Sequence, residues 1–237
     1  MSDRRTELSE GLARTRWRIE QACAAVDRSA EEVTLIVVTK YFPASDVALL
    51  VDLGVRDIGE NRDQEAKAKV AEARDLLGDR MPTMHFIGQA QRNKASSIAQ
   101  YADVVHSLDR ERLAAALDRG AALSDRVLDV LIQVDLGEGA DAHRGGVPTA
   151  QVLPLAEQLR AQSHLRLAGV MAVAPLGGDP RPAFGRLAQV SAEVRAAYPQ
   201  ASWISAGMSA DLEAAIAHGA THLRVGTAIL GSRPPHL

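Results

Sequence analysis

Lysine is scarce in this chain. Of 27 basic residues only four are lysine (Lys40, Lys67, Lys69 and Lys94), and arginine supplies the rest. Chemistry that needs a primary amine therefore has few places to occur. Cysteine is scarcer still. Cys23 stands alone, which excludes a disulfide framework and points to a reducing, cytoplasmic compartment. Aromatics make up 3% of the residues, too few for a base-stacking platform. The net charge of -3 contains no basic block, which argues against nucleic acid as the main partner. No apolar run approaches the roughly 18 residues of a membrane helix, and the opening segment lacks the apolar core of a signal peptide. No P-loop and no G-x-S-x-G is present, and the first strand pattern is not followed by G-x-G-x-x-G.

What is present is alternation. Short apolar, β-branched runs take turns with amphipathic stretches. Strands are predicted at Val33–Lys40, Val55–Gly59, Met84–Gly88, Val104–Leu108, Val127–Leu136, Leu167–Val173, Ser202–Ser205 and His222–Gly226. Helices are predicted between them: Pro43 to Gly54, Asn61 to Leu77, Asn93 to Tyr101, a helix capped by Asp109 to Leu123, Pro148 to Gln162, Pro182 to Tyr198, and Ser209 to His218. Eight such units read as a single (β/α)8 TIM barrel at about 33–231, preceded by an extra helix at about 5–27. Residues 1–237 thus form one α/β domain. An open doubly wound sheet is the competing arrangement.

A barrel places its chemistry at the carboxyl ends of its strands. Lys40 ends the first strand, where partial desolvation favours a neutral, nucleophilic amine. A lysine snorkelling into water is the alternative. Lys67 and Lys69 read as a solvated helix face, and Lys94 as part of a polar helix start. The loops after strands seven and eight carry Ser205-Ala-Gly207-Met-Ser209 and Gly226-Thr227, a pair suited to phosphate. Ordinary capping by Ser209 and a turn glycine is the competing account. Arg224, flanked by Leu223 and Val225, needs an acceptor inside the barrel, either a ligand or an internal carboxylate. An amine, a phosphate cradle and a cation facing a ring nitrogen together describe a pyridoxal phosphate site. His85, His106 and His143 show no metal-ligand spacing, Asp135 with Glu138 reads as a solvated loop pair, and Cys23 as a packing residue.

The sequence resembles the pyridoxal phosphate homeostasis protein family, which looks like the alanine racemase barrel domain standing alone. The resemblance rests on Val37-Val-Thr-Lys40, Gly59-Glu-Asn61, Gln64-Glu65, His85-Phe-Ile-Gly88, Gln91-Arg-Asn-Lys94, Gly169-Val-Met171, Ser205-Ala-Gly-Met-Ser-Ala-Asp211 and Arg224-Val-Gly-Thr-Ala-Ile-Leu-Gly231. It implies that Lys40 holds pyridoxal 5'-phosphate as an imine and that Ser205, Gly226 and Thr227 contact the phosphate. It further implies that Arg224 faces the pyridine nitrogen and that Asn61 and Met171 lie near the cofactor. Arg62 stands where the family often has an aromatic, and Asp135 and Arg144 stand where Asn and Lys are commoner.

The resemblance implies a cytosolic, monomeric carrier or regulator of the cofactor and of amino-acid and keto-acid balance, in transient contact with apo-enzymes. An amino-acid racemase or related enzyme is the alternative. It requires a second base, and Tyr41 is expected to point away from Lys40 if strand alternation persists, while Tyr101 and Tyr198 fall at distant helix ends. A third reading is an aldolase that uses Lys40 on a sugar phosphate.

Overall fold

The computed structural model describes residues 3–137, 145–175 and 177–232. His143, Glu138 and Arg144 lie outside the described residues, as does most of the loop that joins Asp135 to Pro148.

The chain opens with α1 (Arg4–Ala24). Eight parallel strands follow: β1 (Thr34–Val38), β2 (Asp57–Glu60), β3 (Thr83–Phe86), β4 (Val104–Leu108), β5 (Leu128–Gln133), β6 (Leu165–Met171), β7 (Trp203–Ser205) and β8 (His222–Val225). They close in sequential order, with β1 pairing both β2 and β8. The intervening helices are α2 (Ala44–Asp52), α3 (Asp63–Leu77), α4 (Ala95–Tyr101), α5 (Glu111–Leu123), α6 (Val152–Leu159), α7 (Arg181–Ala197) and α8 (Leu212–Ala217), and the short α9 (Thr227–Leu230) follows β8. The expected barrel is therefore present, and the open sheet is not. Among the described residues, no helix is long and apolar enough to cross a membrane.

Except for β4 and β6, the strands are shorter than the apolar runs suggest. β1 stops at Val38 rather than Lys40, because the chain turns there. Thr39 N–H still donates to Gly59 C=O at 3.0 Å, but Phe42 N–H then folds back to Thr39 C=O at 3.0 Å. The α5 cap also differs from expectation. The helix starts at Glu111 after an extended Arg110, with no side-chain cap. Asp109 instead holds the Arg110 guanidinium at 2.6 Å.

Two hydrophobic regions form. The larger fills the space between strands and helices and includes Val37, Leu117 and Phe184. A smaller one, Val104, Leu131, Ala168 and Met171 with Trp203 against it, lies inside the barrel. Interiors of this fold are usually filled by branched apolar side chains. Here His85, His106, Ser205, His222 and Arg224 are buried as well.

α1 seals the side of the barrel near its seam. Gly11 lets it approach α9 so closely that a Cβ would sit 2.6 Å from the carbonyl oxygen of Ile229. Arg4 reaches Asp46 at 2.6 Å and the Leu230 carbonyl at 3.2 Å. Arg18 pairs with Glu213 and donates to the Ser209 carbonyl at 3.0 Å. The helix thus ties down both loops that follow β7 and β8.

Between β5 and β6 the register shifts at Gly169, against which Trp203 of β7 packs. A Cβ on Gly169 would lie 1.9 Å from the Trp203 carbonyl oxygen. Gly169→Ala is therefore expected to cost about 2 kcal/mol or more, since overpacking forces the backbone apart. Chemical denaturation of the two proteins measures it.

Candidate functional site

The turn after β1 presents Lys40. It spans Thr39 to Phe42, and Tyr41 occupies its third position with φ +71°. A type II turn requires a positive φ there and favours glycine, so a tyrosine at this point must be held by its surroundings. Four side chains, of Lys69, Glu60, Thr39 and Glu65, hold it. Lys69 donates to the Thr39 carbonyl at 2.7 Å and to Glu60 Oε1 at 2.7 Å. Thr39 Oγ1 donates to the same carboxylate at 2.6 Å. Glu65 accepts the Tyr41 amide and lies 3.2 Å from Lys69 Nζ. Burial pushes the Glu60 carboxyl up, against the pull of Lys69.

Two expectations are corrected here. Lys69 does not belong to a solvated face, since only 6% of its side chain is exposed. The signal was present in the sequence. Ala66, Lys69, Val70, Ala73 and Leu77 form the buried stripe of α3, at helical spacing. Tyr41 does not point away from Lys40, because strand alternation ends at Val38. It lines the same cavity, with its ring 5.9 Å from Lys40 Nζ and 5.1 Å from the Arg62 guanidinium carbon.

That cavity, about 340 Å³, opens at the carboxyl ends of β1 and β8. Lys40, Arg224, Gly226 and Thr227 all line it, together with Ser209 and Ile87. Arg224 is 5% exposed. Its Nη1 donates to the Ser205 carbonyl at 2.8 Å and to Ser205 Oγ at 2.6 Å, and its Nη2 to the Ala172 carbonyl at 2.9 Å. No carboxylate among the described residues pairs with it, contrary to the internal ion pair weighed above. Burial lowers its guanidinium to about 10, so it remains a cation at neutral pH. A guanidinium has five N–H donors, and two remain here without a partner among the described residues.

The remaining expected residues sit around this cavity rather than in it. Ser205 is wholly buried beneath Arg224, and its hydroxyl is taken up by Arg224 and His106. That differs from a direct phosphate contact. Gly207 has φ +92°, and a Cβ there would lie 2.6 Å from Ala215 Cβ, so its role is to let β7 turn tightly against α8. Met171 is buried in the interior cluster. Asn61 lines an adjoining polar cavity of about 460 Å³ with Gln89, Gln91 and Lys94. Its Oδ1 is buried without a partner among the described residues. Gly226 is close-packed: a Cβ would meet the Val38 carbonyl oxygen at 3.0 Å. Among the described residues the backbone amides of Ser209, Gly226 and Thr227 donate to no internal acceptor.

Sequence reasoning missed the column below Arg224. Ser205 Oγ is 2.9 Å from His106 Nδ1, His106 Nε2 is 2.9 Å from His85 Nδ1, and His85 Nε2 is 3.0 Å from Asp57 Oδ1. The column runs along the barrel from the start of β2 to the cavity floor. His85 and His106 carry no metal-ligand spacing along the chain, yet they meet across strands. Burial, followed by repulsion from His85 and Arg224, pushes His106 far below its ordinary value. Burial and His85 lower His222 to about 4, with Asp57 pulling weakly the other way.

The profile of the alanine racemase N-terminal domain family matches residues 16–234. Fold and site thus define a barrel of the alanine racemase N-terminal class. A pyridoxal phosphate homeostasis protein of Mycobacterium tuberculosis is 44% identical, covering 98% of this chain and 95% of that one. One from Escherichia coli K12 is 36% identical, over 96% and 97%. PipY of Synechococcus elongatus, solved with PLP bound, superposes with a TM-score of 0.80 at 34% identity, over 94% and 100%. The chain belongs to the pyridoxal phosphate homeostasis protein family. Alanine racemase of Corynebacterium glutamicum shares the barrel at 17% identity and a TM-score of 0.68.

The two depressed histidines make stability depend on pH. In the unfolded chain they bind protons from about pH 6.5 downward, while in the folded state His222 resists until about 4. Stability is therefore full above pH 6.5 and falls as pH drops from 6.5 to 4. The raised Glu60 carboxyl acts in the opposite sense above its ordinary 4.5, as one group against two. His222→Phe is expected to shallow the decline by about 1.4 kcal/mol per pH unit. Denaturation series at several pH values measure the slope.

Proposed function

We propose that this protein binds pyridoxal 5'-phosphate in the Lys40 cavity and serves as an intracellular buffer or carrier of it. One observation carries the reading. An amine on a turn and a buried guanidinium open into the same cavity, and among the described residues no carboxylate pairs with the guanidinium and no internal acceptor takes the neighbouring amides. The names of the relatives and the pyridoxal phosphate bound in PipY support it.

The residues fit the group on the structure's own terms. The two N–H donors of Arg224 that have no partner among the described residues suit an acceptor such as a pyridine nitrogen. The amides of Ser209, Gly226 and Thr227, with the Thr227 and Ser209 hydroxyls, suit a phosphate. Ser205 acts through Arg224, holding the guanidinium from below. Asn61 brings a buried acceptor to one flank, and Met171 closes the floor. Lys40 supplies the covalent link: its neutral amine adds to the aldehyde carbon, and the aldehyde oxygen leaves as water with both amine hydrogens. When bound, the cofactor supplies an electron-accepting ring. Arg224 remains protonated and keeps its proton, so the ring nitrogen stays neutral and accepts electrons weakly. Holding the cofactor fits this arrangement better than carbanion chemistry does.

The protein acts in the cytoplasm as a monomer, exchanging the aldehyde with apo-enzymes or with amino and keto acids. Wild-type protein loaded with pyridoxal 5'-phosphate is expected to absorb near about 420 nm, the ordinary band of such imines, and Lys40→Ala to lack that band. Loaded wild type without the band would overturn the reading. Incubation with L-alanine followed by chiral chromatography addresses the racemase alternative. Turnover around 1 s⁻¹ or above would favour an enzyme.

A further inference from the structure

We propose that Lys69 and Glu65 are positioning residues for Lys40, acting from its two neighbouring peptide groups. The proposal rests on the reading above, in which Lys40 attacks the aldehyde. The ammonium of Lys69 grips the carbonyl of Thr39, the residue before Lys40. The carboxylate of Glu65 grips the amide of Tyr41, the residue after it. Glu60, fully buried at the end of β2, joins the two sides, since it takes both Lys69 Nζ and Thr39 Oγ1 on one oxygen.

Three features indicate more than packing. First, a buried ion pair is a poor means of stabilisation, because desolvation offsets most of its attraction and apolar replacements often do as well. Glu60 and Lys69 are both buried, and Glu60 Oε2 has no partner among the described residues. An apolar pair at these positions would leave no such orphan. Second, the turn puts a tyrosine where glycine is easier, at φ +71°. A turn of free choice would relax, and this one is fixed from both sides by charged groups. Third, the clamp touches the peptide groups on either side of Lys40 and leaves its side chain to the cavity. The amine is then presented from a rigid base, which lowers the entropic cost of reaching the attack geometry. Lys69 and Glu65 thereby act on the covalent step, the addition of the Lys40 amine with loss of water, and leave non-covalent docking to Arg224 and the amides.

Two ligands separate these roles. Pyridoxal 5'-phosphate reports the imine through its absorbance, and pyridoxine 5'-phosphate, with an alcohol in place of the aldehyde, reports docking alone. Glu65→Ala removes the carboxylate that holds the Tyr41 amide. Lys69→Met combined with Glu60→Leu removes the pair without stranding a buried charge. In both proteins the rate of imine formation is expected to fall about tenfold or more, a loss typical of misplaced reacting groups. Affinity for pyridoxine 5'-phosphate and the cooperative melting transition are expected to be unchanged. Imine formation at the wild-type rate in either folded variant would overturn the proposal. So would a parallel loss of pyridoxine 5'-phosphate affinity, which would mark the network as merely structural. A band that survives Lys40→Ala would instead remove the reading beneath it, and the proposal with it.

Discussion

A guanidinium buried in a barrel, with no carboxylate paired to it among the described residues, is the constraint around which this molecule is organised. Arg224 is secured by peptide carbonyls at the ends of β6 and β7 and by the Ser205 hydroxyl. Carbonyls attract a cation without cancelling its charge. The residual field and the remaining N–H donors therefore face the cavity. The conformations at Ser205, Gly207 and Ala172 can be understood as what it takes to present those acceptors. The close packing of Gly207 on α8 and the hold of α1 on the Ser209 carbonyl fix the loop that carries them.

On the opposite wall the arrangement is reversed. There the turn carrying Lys40 is held by a network of three charged groups, of which Lys69 and Glu60 are buried. The two walls differ in kind. One holds a cation with neutral partners and awaits an acceptor. The other satisfies nearly all its charges internally and offers a single amine. A ligand with an electron-rich ring atom and an electrophilic carbon meets both requirements at once.

The barrel was legible in the sequence because its signals are local. β-branched runs bounded by glycine and proline mark eight strands, and Lys40, Arg224, Gly226 and Thr227 could be placed at the mouth from strand ends alone. Features set by tertiary geometry were harder to read. Tyr41 was misread because strand alternation was carried past the point where the chain turns. Lys69 was misread because a lysine in a polar stretch suggests solvent, although its spacing with Ala66, Val70 and Ala73 places it on the packed face. His85 and His106 gave no signal because residues on adjacent strands meet by register, which no spacing along the chain reveals.

The same register gives the interior an electrical direction. Arginine can only donate and an ionised aspartate can only accept, and these two stand at opposite ends of the column. The Ser205 hydroxyl accepts from Arg224 and meets His106 Nδ1. His106 Nε2 meets His85 Nδ1, and His85 Nε2 meets Asp57. His106, pushed far below its ordinary value by burial, is neutral, so one of its ring nitrogens donates while the other accepts. The barrel axis thus carries an unbroken line of polar groups with a cation at one end and a carboxylate at the other.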